Sequence, residues 1–128
     1  MYTDDLNLKN FFDLAIKNHK KNNFSIAEKF YKQVLEINPS HFESIFYLAS
    51  LSAQMGSLVK AKELFEKAIQ IRPNYVSAYN NLGSVFLELK NYYGALMSFQ
   101  KAISLDPNHI NARNNLSVLL RSAQFRKI

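Results

Sequence analysis

The side chains able to do chemistry in this chain are few in kind, and the most regular of them are asparagines. Asn81 and Asn115 stand 34 residues apart inside similar runs, Tyr79-Asn80-Asn81-Leu82-Gly83 and Arg113-Asn114-Asn115-Leu116-Ser117. A side-chain amide offers one acceptor oxygen and two N–H donors, so it can pair with both the N–H and the C=O of an extended peptide. That is chemistry for holding a polypeptide backbone rather than for breaking a bond.

Catalysis needs a converging acid, base or nucleophile, or a metal. The three histidines, His19, His41 and His109, are far apart, and none sits in a metal-spaced pair. His41 and His109 each follow a proline by two residues, which points to a role in starting a helix. Gly56, Gly83 and Gly94 are isolated, so there is no phosphate-cradling loop. The chain has no cysteine, which excludes a disulfide framework, a thiolate metal site and a cysteine nucleophile, and fits a reducing compartment. The expectation is a protein that is not an enzyme, with no catalytic residue, cofactor or metal.

The 128 residues fit one domain. A hydrophobic fraction of 48% with 13% aromatics is too high for a disordered segment. Net charge is +6, from 16 basic and 10 acidic residues, which permits an acidic partner or nucleic acid. The basic residues are scattered, however, among them Lys17, Lys20, Lys21, Lys29, Lys32, Lys60, Lys62, Lys67 and Arg121, and many fall where a helix would face water. Nucleic acid is therefore not the expected partner. Asp4 and Asp5 follow Met1 with no apolar run behind them, unlike a secretory signal, and no uncharged stretch is long enough to cross a bilayer. The expected location is cytoplasmic, with no membrane.

What positions the asparagines is a repeat. The only prolines are Pro39, Pro73 and Pro107, at steps of 34 residues. The same step links Ala27, Ala61 and Ala95; Tyr31, Phe65 and Phe99; and Leu14, Leu48, Leu82 and Leu116, each of these leucines followed by a small residue, Ala15, Ala49, Gly83 or Ser117. No insertion breaks the phase. Between prolines the apolar spacing is helical. Turn residues at Asn22-Asn23, Gly56-Ser57 and Asn91 divide each unit in two. Each proline stops the second helix, and Ser40, Asn74 and Asn108 are expected to cap the next. The hairpins are placed at about 8–21 with 24–37, 42–55 with 58–71, and 76–89 with 92–105. A lone helix follows from about His109 to Gln124. An all-helical chain of this kind cannot form the strand–turn–serine elbow of a hydrolase.

The pattern resembles the tetratricopeptide repeat over roughly residues 8–120. Tyr79, Leu82, Gly83, Phe86, Ala95, Phe99, Ala102 and Pro107 carry the likeness best. It implies an all-α, right-handed superhelical stack of antiparallel helix hairpins, seven helices in one domain over 8–124. The parts are an N-terminal extension 1–7, repeats 8–41, 42–75 and 76–109, a helix 110–124 that is either a cap, which its Arg113 in place of an aromatic favours, or the start of a truncated fourth repeat, and a tail 125–128. It also implies a concave face lined by the first helices, on which partners bind. Carried over, the peptide-binding candidates are Phe12, Ile16, Phe46, Tyr47, Ser77, Asn80, Asn81, Ser84, Asn111, Asn114 and Asn115. Phe12, Phe46 and Tyr47 are either an apolar pocket or packing between adjacent helices.

One use of that face in the family is a clamp of Lys, Arg and Asn on a peptide's terminal carboxylate. Aligned to it, this chain offers Phe12, Ile16, Tyr47, Ser77 and Asn81, or one unit on, Phe46, Ser50, Asn81, Asn111 and Asn115. Neither set contains a cation, so a terminal acidic tail is not the expected ligand. Asn81 and Asn115 are closer to the asparagine ladder of O-linked N-acetylglucosamine transferases. Helices about 8–10 Å apart and about 3.3 Å per extended residue match one rung to three ligand residues. The ladder breaks at Tyr47 and Asp13.

The function expected is a protein-interaction module for an extended peptide or a helix, its partner unidentified. Two alternatives stay open: a docking arm of a larger enzyme such as a glycosyl- or methyltransferase, and a homo-oligomer pairing through Leu8, Phe11 and Phe12.

Overall fold

The computed structural model describes residues 2–122. Seven α-helices make up its regular structure: α1 (Tyr2–Lys20), α2 (Phe24–Ile37), α3 (Phe42–Gln54), α4 (Leu58–Ile71), α5 (Val76–Glu88), α6 (Tyr92–Leu105) and α7 (Ile110–Arg121). The described residues contain no strand. α1 begins six residues before the expected start at 8. Asp4 and Asp5 in its first turn and Lys17, His19 and Lys20 in its last complement the helix dipole, so residues 2–7 extend the helix with little apolar pattern to announce it. Met1, the expected helix end at 123–124 and the tail 125–128 lie outside the described residues.

The first helices end in one way. Asn22, Gly56 and Lys90, each 34 residues from the next, take the left-handed conformation at φ 63°, 82° and 62°. The amide following each bonds back to a carbonyl five residues earlier: Asn23 to Asn18, Ser57 to Ser52 and Asn91 to Phe86, each at 2.8 Å. Such a turn satisfies carbonyls that a helix end otherwise leaves open. In the third unit the left-handed residue is Lys90 rather than the expected Asn91, which caps α6 by accepting from the Gly94 N–H at 2.9 Å.

The second helices stop where proline demands. Asn38 and Asp106, each before a proline, are extended, at φ −135° and −142°, as the proline ring requires. Ser40, Asn74 and Asn108 are not the caps of the following helices; those are His41, Tyr75 and His109. The Nδ1 atoms of His41 and His109 accept the N–H groups of Ser44 and Ala112, each at 3.2 Å. Ser40 and Asn108 instead give their own N–H groups to the Asn38 and Asp106 side chains, closing the proline turn. The helix-start role read for the two histidines holds.

The chain divides into two compact units, one ending at Ile71 and the other beginning at Arg72. In the first, α1 pairs with α2, α3 with α4, and α2 packs on α3. Its core gathers Ala15, Ala27, Tyr31, Leu48 and Leu51, with Phe12, Ile16, Phe24 and Phe30 against them. In the second, α5 pairs with α6, and α7 packs on α6 around Ala95, Phe99 and Leu119. The small residues do what their spacing implies: Ala15, Ala27, Ala49, Ala61 and Ala95 are fully buried. At Gly83 the requirement is strict, because a Cβ there would lie 2.5 Å from the Phe99 ring. Leu14, the first member of its series, is 39% exposed, against 2% for Leu48 and 6% for Leu82.

Candidate functional site

The residues expected to bind a peptide fall four in the first unit and seven in the second. In the first, the structure separates them. Phe46 is buried, stacked on Phe42 at 6.1 Å and edge-on to Phe65 at 5.8 Å; its part is packing. Phe12 is half-buried, its ring edge-on to His41 at 5.2 Å and 6.3 Å from Tyr47. Tyr47 keeps 37% of its surface exposed while its ring is braced by Phe46 at 5.5 Å. Ile16 and Tyr47 come together on the walls of an open cavity of about 440 Å³, completed by His19, Lys20, Asn22 and Gln54.

His19 organises that cavity. Its Nδ1 lies 2.9 Å from the Tyr31 hydroxyl and its Nε2 2.6 Å from Gln54 Oε1. Since Oε1 only accepts, Nε2 carries the proton of the neutral ring and Tyr31 donates to Nδ1. One imidazole thereby ties α1 to both α2 and α3. Burial pushes the Tyr31 pKa well above its usual value, with neighbouring Tyr47 adding to it, so this hydroxyl keeps its proton. Outside the cavity, on α2 and α4, Lys60 bonds Glu28 at 2.9 Å. That bond holds the Glu28 carboxyl below its ordinary value against the opposing cost of burial.

In the second unit the site residues are amides and hydroxyls. Asn80 is only 8% exposed, and its side-chain oxygen accepts from Asn115 Nδ2 at 3.0 Å, linking α5 to α7. Ser84 donates to the Asn80 carbonyl at 3.3 Å. Asn81 is half-buried, and its amide makes no hydrogen bond to any described residue. Ser77 is half-buried; Asn111 and Asn114 are exposed. Asn115 thus pairs with Asn80, not with its repeat equivalent Asn81.

Sequence reasoning does not single out Lys20, Asn22 or Gln54 as site residues. The signal that finds Gln54 is its spacing of 35 from His19, which becomes meaningful only once α1 and α3 are known to be neighbours. Among the described residues, no three of His, Cys, Asp and Glu gather where they could hold a metal ion. No helix there is long and apolar enough to cross a membrane.

Comparison with known families matches the tetratricopeptide repeat three times, over residues 11–41 and 76–109 and, as "TPR repeat", over 51–90. The chain belongs to the tetratricopeptide-repeat family. No curated protein matches it. Among solved structures this repeat protein is similar to an O-GlcNAc transferase mutant from Thermobaculum terrenum, at 26% identity and a TM-score of 0.84, over 94% of this chain and 23% of that one. It therefore spans about a quarter of that enzyme's chain. It is similar to the Arabidopsis OM64 TPR domain, at 21% identity and a TM-score of 0.83, over 88% of this chain and 93% of that one. It is also similar to the first TPR of Spaghetti (RPAP3), a structure with a bound HSP90 peptide. There the identity is 18% and the TM-score 0.84, over 89% of this chain and 90% of that one.

Proposed function

We propose that this repeat protein is a binding module that holds an extended peptide on the faces of its first helices, with side-chain amides reading the peptide backbone. The observation that carries the reading is Asn81. It is half-buried beside an ordered amide pair, Asn80 and Asn115, yet its own oxygen and N–H groups have no partner among the described residues. An amide so placed offers a peptide backbone both an acceptor and donors. Support from kinship is of the same kind: the RPAP3 repeat domain carries an HSP90 peptide. The ligand here differs from a terminal acidic tail, because the positions aligned with the carboxylate clamp hold Phe12, Ile16, Tyr47, Ser77 and Asn81 and no cation.

Asn81→Ala removes these groups without breaking an internal bond, and the double change with Asn115→Ala removes the ladder. Peptides selected by the parent chain from a displayed random library are expected to bind Asn81→Ala about tenfold more weakly, at unchanged helicity by circular dichroism. Unchanged affinity in the double variant would sink the assignment. A second reading, a substrate-docking arm of a larger glycosyltransferase, is favoured by the likeness to the Thermobaculum enzyme. Sequencing the transcript on both sides of these codons tests it: a catalytic domain in the same frame supports docking in cis, and a stop on each side removes it.

A further inference from the structure

The cavity of the first unit is not the amide surface of the second, and its lining names a different ligand chemistry. Its apolar wall is Ile16 and the Tyr47 ring, which Phe12 and Phe46 hold in place from behind. Its polar rim carries one full charge, the Lys20 ammonium, and no carboxylate lines it. Lys17 and Lys21, exposed beside Lys20 at the end of α1, add to the positive field. None of these three lysines forms an ion pair with a described residue, whereas Lys9, Lys32, Lys60 and Lys62 all do. The Tyr47 hydroxyl likewise has no hydrogen-bond partner among the described residues. His19 and Gln54 are occupied with each other and shape the wall. At about 440 Å³, the space lies within the range of small ligand sites, about 300–1,000 Å³.

We propose that this cavity is the specificity pocket for a partner segment in which a bulky apolar side chain stands next to an aspartate or glutamate. The proposal rests on the peptide-binding reading above and names the sequence that the peptide must carry. The apolar side chain lies over Ile16 and against Tyr47, removing the remaining exposed ring surface from water. The neighbouring carboxylate meets Lys20, and Lys17 and Lys21 steer it there. Cation and apolar wall together select an internal acidic–apolar pair, and the cation lies outside the positions aligned with a terminal-carboxylate clamp. A free peptide terminus is therefore not needed.

The test uses the full chain and a library of displayed random peptides. Those selected by the parent should be enriched in Asp or Glu adjacent to Leu, Ile, Met or an aromatic residue. The best of them, synthesised with an amidated C-terminus, should bind as well as its free-acid form. Its Kd should rise about tenfold for Tyr47→Ala and about fivefold for Lys20→Glu. The Lys20 effect should fade at high salt, and Lys101→Glu on exposed α6 should change little. A selected pool without acidic preference, dependence on a free terminus, or an equal effect of Lys101→Glu overturns the pocket. Displacement of the peptide by a single-stranded RNA oligonucleotide that also requires Lys20 overturns it in favour of nucleic acid. Peptides weakened by Asn81→Ala but indifferent to both Tyr47→Ala and Lys20→Glu sink the pocket and leave the amide reading standing. A library from which nothing is selected sinks both.

Discussion

Within each of the two units the first helices are tied to one another, by different chemistry at one common spacing. In the first unit His19 meets Gln54 and Phe12 meets Tyr47; in the second Asn80 meets Asn115. Each of these contacts joins a residue to the one 35 positions on, one more than the repeat. The reason is rotational. Equivalent positions point the same way on successive helices, so they cannot face each other, whereas the next residue is turned by about 100° and points back. What differs is what remains free. Ring packing and the histidine network of the first unit leave an apolar wall with a lysine on its rim. The amide pair of the second leaves Asn81 open. One register thus leaves two different surface chemistries exposed.

The contrast can be broken by substitution. Its largest consequence concerns Phe99, which lies against Gly83 with no space to spare and is fully buried. Phe99→Ala should cost about 3–5 kcal/mol, read as a lower midpoint in chemical denaturation. In the first unit, Tyr31→Phe keeps the ring and removes only the donor to His19 Nδ1. It should cost about 1 kcal/mol, and a loss as large as that of Phe99→Ala would show that the polar network rather than apolar packing holds this unit.

The smallest effect is one of pH. Folded Glu28 holds its proton less tightly than the unfolded chain does. Its contribution is therefore full above the unfolded value of 4.5 and fades as pH falls through the lower folded value. With Lys60 partly exposed, it amounts to a few tenths of a kcal/mol. Lys60→Met should flatten that part of the acid limb in a pH series of melting curves; an unaltered limb would deny the pair any role.

Most of the architecture was legible because the marks that carry it are local. Pro39, Pro73 and Pro107 terminate helices by sterics alone, and the run Leu82-Gly83 announces a close approach that the Phe99 ring confirms. The misses have equally local causes. His41 and His109 are the caps rather than Ser40 and Asn108 because the proline turn, closed by Asn38 and Asp106, runs one residue further before the helix starts, and the imidazole Nδ1 can accept the amide three residues on. The start of α1 went unseen because Thr3, Asp4 and Asp5 show no apolar period, and a helix N-terminus favours acids without needing one. The site was legible only as a face. That Phe46 turns inward while Tyr47, its neighbour in sequence, stays out is decided by Phe42 and Phe65, which packing alone brings together. The cavity required His19 and Gln54 to meet, a contact with no periodic trace.

The left-handed residues at 22, 56 and 90 also govern how this chain tolerates change in length. Each is the single joint at which the direction of one rod is converted into that of the next, with no slack on either side. One residue added there would turn the whole following helix by about 100° about its axis and carry Ala27, Ala61 or Ala95 away from the surface it touches. Lengthening at the proline corners 38–41 and 106–109 would leave each hairpin whole but break the contacts that cross them, His19–Gln54 and Asn80–Asn115. Variation in length is therefore expected to be absent at 21–23, 55–57 and 89–91.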